Sequence, residues 1–246
     1  MRSIIAAAAV ATVLALPSTT SAHAEVDVEA GVVFTGRNDI RIPGDGGTEF
    51  SLVDDLSTPA APAFRLRVSY RIANRHLVSL LYAPLQVNAA GRVDRDISFA
   101  GGTFAAGSDL LAVYRFDSYR LTYRYSFVTA PGWDIAAGVT AKIRDAEVSL
   151  YGVDVRRKTN TGFVPLVNVH VAWRPDDGAF GVVLDADALA APQGRAEDVL
   201  LAATWQARDN IELRVGYRMV EGGSDVDEVY SFAWLHYAIA GARILF

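Results

Sequence analysis

From residue 64 to residue 72 the chain alternates strictly. Phe64, Leu66, Val68, Tyr70 and Ile72 are apolar, and Arg65, Arg67, Ser69 and Arg71 lie between them. A period of two marks a β-strand with two unlike faces, here one apolar and one carrying three guanidinium groups. The same pattern recurs over 119–127, 133–144, 180–187 and 211–219. Such a chain has two ways to fold. A soluble sandwich turns the apolar faces inward and leaves the arginines in water. A barrel in lipid inverts this, with apolar side chains on the hydrocarbon and charges in the lumen.

The N-terminus favours the second arrangement. Arg2, the apolar stretch 4–16, Pro17 and the small-x-small run Ala22-His23-Ala24 read as a secretory signal peptide over 1–24. That apolar stretch is well short of the ~20 residues a spanning helix needs, and no other segment comes closer. The remaining domain, 25–246, carries 22 basic and 28 acidic residues, and this acidity argues against a nucleic-acid partner. Cysteine is absent, which excludes a disulfide framework and thiol chemistry. One domain accounts for a chain of this length.

Four short breaks separate long alternating runs: Ala73-Asn74-Arg75, Thr129-Ala130-Pro131-Gly132, Pro175-Asp176-Asp177-Gly178 and Arg208-Asp209-Asn210. Each contains the residues that tight turns require. Four hairpins at one end, with the first and last strands also ending there, make ten strands. They fall near 25–42, 62–72, 76–92, 110–127, 133–150, 156–174, 179–190, 196–207, 211–222 and 229–246. The predicted fold is all-β, a single antiparallel up-and-down transmembrane β-barrel of ten strands. Eight and twelve are the alternatives, and 48–53 offers an extra strand. Pro84 and Pro165 fall inside predicted strands although proline cannot donate to a ladder.

Trp133, Trp173 and Trp205 lie beside three of the turns, on the apolar parity of their strands, with Tyr125, Phe127 and Phe180 at the same height. This is the expected aromatic girdle of a membrane interface. Longer connections, 43–61, 88–109, 151–158, 191–195 and 222–228, are expected at the opposite, outward end.

The closing run Ala238, Ala240, Ala242, Ile244 and Phe246 is apolar at every second position. Here the chain resembles the Gram-negative outer-membrane β-barrel proteins, whose last strand typically ends in an aromatic residue that serves as an assembly signal. The resemblance is to the class and covers the chain from residue 25 onward. It implies the cell outer membrane as location, and outer-membrane lipid and lipopolysaccharide as surroundings. It also implies the barrel assembly machinery as a partner, acting through the C-terminal strand and Phe246.

Alternation directs a set of charges inward: Arg65, Arg67, Arg71, Arg120, Arg124, Lys142, Arg144, Glu212, Arg214 and Arg218, facing an acidic wall of Asp185, Asp187 and Asp198. Asp134, Asn168 and His170 share that parity. Unpaired buried charge is costly, so the expected arrangement is an ion-pair network. A narrow polar conduit is the alternative.

For catalysis, Asp185 and Asp187 stand about 7 Å apart on one strand face and could share a proton or activate water. The strand count resembles that of the omptin proteases, which use acidic pairs and an Asp–His pair near the outer rim, but their residues find no match here. His236 with Ser231 is the remaining pair that a lipid hydrolase could use. The acidic run 221–228 reads as a solvated hairpin tip rather than a cation site. Arg156-Arg157-Lys158 reads as a rim that meets water or lipopolysaccharide phosphates. No catalytic residue, metal site or cofactor is assigned. The expected function is that of an outer-membrane barrel without an evident enzymatic site, serving structure, surface interaction or narrow porin-like solute passage. The alternative is an outer-membrane hydrolase acting on lipid or peptide at the outer rim.

Overall fold

Ten long antiparallel strands close on themselves in the computed structural model, which describes residues 22–246. In chain order the elements are β1 (Ala22–Arg41), β2 (Phe50–Ser51), β3 (Ala61–Ile72), β4 (His76–Ala83), β5 (Gln86–Arg92), β6 (Ile97–Phe99) and β7 (Gly102–Phe104). They continue with β8 (Asp109–Val128), β9 (Trp133–Tyr151), β10 (Val155–Trp173), β11 (Phe180–Ala191), β12 (Gly194–Arg208), β13 (Ile211–Val226) and β14 (Val229–Leu245). Each barrel strand pairs with its sequence neighbours, and β14 closes on β1 from Glu25↔Leu245 to Arg41↔Tyr230. β4 and β5 are one barrel strand interrupted at Pro84. Their pairing to β8 stops at Ala83↔Ser118 and resumes at Gln86↔Arg115 in the same register. The expected count of ten therefore holds, with β2 and the β6–β7 hairpin additional to the barrel. The leader expected over 1–24 lies outside the described residues up to residue 21, and Ala22-His23-Ala24 continue β1 beside β3.

The turns are where the sequence puts them. Ala73 and Asn74 both have positive φ, 51° and 56°, and Arg75 N–H donates to the Ile72 carbonyl, a tight turn inside the three-residue loop between the paired Ile72 and His76. At the opposite end the strands run further than expected. β9 and β10 stay paired up to Tyr151↔Val155, so the connection expected over 151–158 shrinks to three residues.

Outward positions form a continuous apolar surface. Leu80, Val139 and Val215 are each about 60% exposed, and the exposed large apolar residues run around the whole barrel. Soluble monomers rarely present so extensive a patch. At the turn end Trp133 lies tilted against Trp173 at 6.3 Å, and Phe180 stacks on Trp205 at 6.4 Å. A second outward row, with Phe34, Phe64, Tyr119, Phe163 and Trp234, lies about ten residues further up the strands. At ~3.3 Å per residue and a tilt near 40°, ten residues rise about 25 Å, the height of an apolar band in lipid.

The interior has two storeys. The half near the turns is charged. The other half is apolar, because β8 and β14 carry Leu110, Ala112, Leu235 and Ile239 on their inward faces, all buried. The first two connections expected at the outward end, 43–61 and 88–109, fold back onto those faces. Phe50, Leu52, Leu56, Val93, Ile97, Phe99 and Phe104 are all buried and share one apolar cluster with the barrel wall. Phe50 meets Phe99 edge to face at 5.9 Å. We call this in-folded segment the plug.

An ion pair fastens the plug at its exposed side. Arg95 donates to both carboxylate oxygens of Asp55, at 2.6 and 2.8 Å. These bonds hold the Asp55 carboxyl below its usual range. A carboxylate held low contributes stability above its unfolded pKa and loses it as pH falls through the lowered value. Protection of the plug against limited proteolysis is therefore expected to weaken below pH ~4 in the parent chain. In Asp55→Asn the protection is expected to be weaker at neutral pH and flat across that window.

Candidate functional site

The charged storey is a dense network with Asp198 at its centre. Asp198 lies within 2.8 Å of Arg65, 2.6 Å of Arg120 and 2.5 Å of Arg218. Arg218 also bonds Glu29 at 2.8 Å, and Arg214 reaches Glu29 at 3.1 Å and Asp27 at 2.5 Å. Arg120 joins Asp187 at 2.8 Å, which also accepts from Thr140 at 2.7 Å and from Asn168 at 2.9 Å. Asp185 takes Arg67 at 3.3 Å, Arg124 at 3.1 Å and His170 at 3.3 Å. Nearer the turns Arg71 bonds Glu25, Arg243 bonds Glu212, and Arg174 bonds Glu212.

Eight carboxylates (Glu25, Asp27, Glu29, Asp134, Asp185, Asp187, Asp198, Glu212) face nine guanidiniums (Arg65, Arg67, Arg71, Arg120, Arg124, Arg174, Arg214, Arg218, Arg243) in this storey. Near-neutral pairing of this kind satisfies the requirement that buried charges be matched. At the middle of the storey, around Arg67, Asp185, Arg214 and Arg218, the void is about 50 Å3, room for a few waters at most. At the turn end it widens into a cavity of about 340 Å3 lined by Asp134, His170, Arg174, Glu212 and Arg243.

The arginines expected inward on β3, β8 and β13 all point there and meet carboxylates, Asp185, Asp187 and Asp198 among them. The acids of β1, outside the predicted set, complete the network. Glu25-Val-Asp27-Val-Glu29 alternates as clearly as the arginines opposite, and β1 lies beside β3 with Asp27↔Arg67 and Glu29↔Arg65 in register. Lys142 and Arg144 depart from the expected network. Both point inward, yet neither has a carboxylate within 4.0 Å among the described residues. Arg144 donates only to Asn160, at 2.7 Å. Lys142 holds its ammonium 4.8 Å from the ring centroid of Phe116.

These two cations face a second feature, an apolar cavity of about 490 Å3 in the plug-end storey. The plug fills the side of β1, β8 and β9 and leaves the side of β10 to β13 open. Tyr114, Phe116, Val148, Leu189, Val220 and Leu235 contribute apolar wall, and Lys142, Arg144 and Lys158 contribute positive charge. Glu147 and Glu221, the carboxylates at its edge, are already bound by Arg157 and Arg195.

The cavity opens sideways through the wall. β10 keeps register with β9 over nineteen pairs, straight through Pro165↔Ala141. With β11 it makes only seven pairs, from Trp173↔Val182 to Val167↔Ala188, and the ladder stops two residues below Pro165. Proline has no N–H to offer a neighbouring strand. Above that point β10 and β11 diverge, and Leu189, inward by parity, is 37% exposed. Phe163 and Pro165 form the outer lip of this seam.

The catalytic candidates are not assembled into reactive sets. Asp185 and Asp187 are both tied to arginines. Asp185 does meet His170, but near the turns and away from the rim, and no serine or threonine hydroxyl bonds a histidine among the described residues. Ser231 points inward and His236 outward, so they lie on opposite sides of the wall. His236 instead bonds the Tyr217 hydroxyl at 2.5 Å. In the acidic run, Glu221 is engaged by Arg195, and the strands continue to a two-residue turn at Asp227-Glu228.

No family model matches the chain, and no curated protein matches it in sequence. Among solved structures it is similar to the outer membrane protease OmpT from Escherichia coli, with a TM-score of 0.55 at 9% identity, over 91% of this chain and 97% of that one. It is also similar to an outer membrane channel from Pseudomonas putida F1, with a TM-score of 0.42 at 9% identity over 94% and 97% of the two chains. Neisserial surface protein A follows with a TM-score of 0.34 at 15% identity over 92% and 99%. At these identities the likeness is one of fold. The chain shares the architecture of Gram-negative outer-membrane β-barrels.

Proposed function

We propose that this protein is an integral outer-membrane barrel that is closed to solutes and holds an apolar molecule in its outward half. One observation carries this reading: the lumen is split between an ion-pair lock with only about 50 Å3 of void at its middle and an apolar cavity of about 490 Å3 open through the side wall. The exposed apolar belt, the two aromatic rows and the barrel topology support placement in a membrane. The turns then face the periplasm and the plug faces outward, as the short-turn and long-connection asymmetry of such barrels implies. The cavity volume lies within the ~300–1,000 Å3 of ordinary ligand pockets. The signal peptide over 1–24, and recognition of Phe246 by the assembly machinery, belong to the same reading.

The protein purified from membranes is expected to bind the neutral fluorophore N-phenyl-1-naphthylamine at about one site per chain. Ala196→Trp, which places an indole on the inward face of β12 at the cavity wall, is expected to abolish that binding while heat-modifiable gel migration stays intact. Absence of binding to the parent protein, or equal binding to both, would overturn the reading. Passage of solutes in a liposome-swelling assay would restore the conduit alternative.

A further inference from the structure

Lys142 is the one lysine directed at the junction of the two storeys, and its surroundings are unusual. It pairs in register with Arg120 on one side and Val164 on the other, and it is only 4% exposed. Every arginine of the lock below it is matched by a carboxylate, while its own ammonium faces the cavity floor beside the Phe116 ring with no carboxylate within 4.0 Å among the described residues. Asp198 attracts it from further off, and Arg120, Arg65 and Arg144 repel it. Taking an ammonium out of water without an anionic partner is costly, and one cation–π contact offsets a small part of that cost. The cavity thus has an apolar wall, a lateral opening onto the membrane belt and an unmatched cation at its deep end. Arg144 and Lys158 add to the positive potential above it.

Building on the ligand-holding reading above, we propose that the cavity takes a long-chain fatty acid from the surrounding lipid, entering through the β10–β11 seam and seating its carboxylate on Lys142. A single apolar chain matches a single cavity with one seam, and its carboxylate matches the buried ammonium at the deep end, with Arg144 and Lys158 adding attraction nearer the mouth. A two-chain phospholipid asks for far more volume than about 490 Å3. The acyl chain lies against Phe116, Leu189 and Leu235 and leaves past Phe163. Pro165 keeps the seam open, because it lacks the N–H that would continue the ladder to β11 at that point.

The test uses cis-parinaric acid and its methyl ester, two fluorescent probes that differ only at the carboxylate. The parent protein is expected to bind the acid about 10-fold or more tightly than the ester, the worth of one charge-assisted hydrogen bond. Lys142→Met keeps the length and removes the charge. It is expected to bring the acid down to the affinity of the ester and leave ester binding unchanged, which also reports that the variant is folded. Equal acid affinity in the parent and in Lys142→Met would overturn the carboxylate seat. If the parent binds N-phenyl-1-naphthylamine but not the acid, this proposal falls and the cavity reading stands. If it binds neither, the cavity reading falls first. For the route, Pro165→Val restores the N–H that β10 lacks at the seam and is expected to slow uptake of cis-parinaric acid from phosphatidylcholine vesicles about 10-fold or more. An unchanged uptake rate in folded Pro165→Val would overturn entry through the wall.

Discussion

Asp198→Asn is expected to lower the unfolding free energy of the barrel by about 3–5 kcal/mol. The carboxylate of Asp198 is 4% exposed as a residue and touches three guanidiniums, those of Arg65, Arg120 and Arg218. Asparagine keeps the shape and one acceptor but removes the charge. Arg218 retains Glu29, and Arg120 retains Asp187. Arg65 is left with Glu29 at 3.9 Å, too long for a hydrogen bond. A cation stranded in a low-dielectric lumen carries its full desolvation cost, which is why deleting one member of a buried pair is so much worse than replacing the pair. The urea midpoint of the detergent-solubilised protein and the temperature at which its heat-modifiable band converts are both expected to fall. Asp94→Asn is the control. Asp94 is almost fully exposed and pairs with Arg95 at 3.5 Å, so its loss is expected to change stability by well under 1 kcal/mol. An Asp198→Asn midpoint equal to that of the parent would mean the network is not what holds the lower lumen together.

That network was readable in the chain to an uneven degree, and the unevenness has physical causes. Inward placement of Arg65, Arg67, Arg120, Arg124, Arg214 and Arg218 follows from local alternation, since a β-strand has only two faces. The tryptophans fixed which face meets lipid. Partners are a different matter, because they depend on register between strands far apart in sequence. The pairing of Arg65 with Asp198 spans 133 residues. The acids of β1 were visible as alternation, but their role follows from barrel closure, which sets β1 beside β3.

The plug was hidden for a related reason. Residues 110–116 read Leu-Leu-Ala-Val-Tyr-Arg-Phe, apolar on both faces as far as Tyr114, so the inner face needed a cover. Nothing local says that the cover is made of two loops rather than of side chains from across the barrel. Pro165 stood out in the sequence, yet its consequence is one-sided. The ladder to β9 passes through it while the ladder to β11 ends, and that asymmetry appears only when both neighbours are in place.

Removing the second of the plug's two loops alone is expected to leave the barrel electrically silent in planar bilayers. The outer opening and the lower lumen are barriers in series, so the tighter one sets the conductance. The plug's second segment can be cut cleanly, because β5 and β8 stay paired up to Arg92↔Asp109. Residues 93–108 can therefore be replaced by Asn-Gly, the dipeptide suited to a two-residue hairpin. This variant loses Ile97, Phe99 and Phe104 from the apolar cluster and exposes the inner faces of β8 and β9. Ions entering the opened mouth still meet Arg120, Asp198 and Arg218 locked together, with about 50 Å3 of void among them and their neighbours. Combining the loop replacement with Arg65→Ala, Arg120→Ala and Asp198→Ala removes the hub from both sides, and conductance steps are then expected. Their size is expected to stay well below that of 16-stranded porins, since lumen width grows with strand number. Steps from the plug variant by itself would place the only barrier at the mouth and make the charged storey a lining rather than a lock. Silence in both variants would show that the remaining arginine–carboxylate pairs close the lumen without Asp198, which the stability measurement on Asp198→Asn would then detect as a small loss instead of a large one.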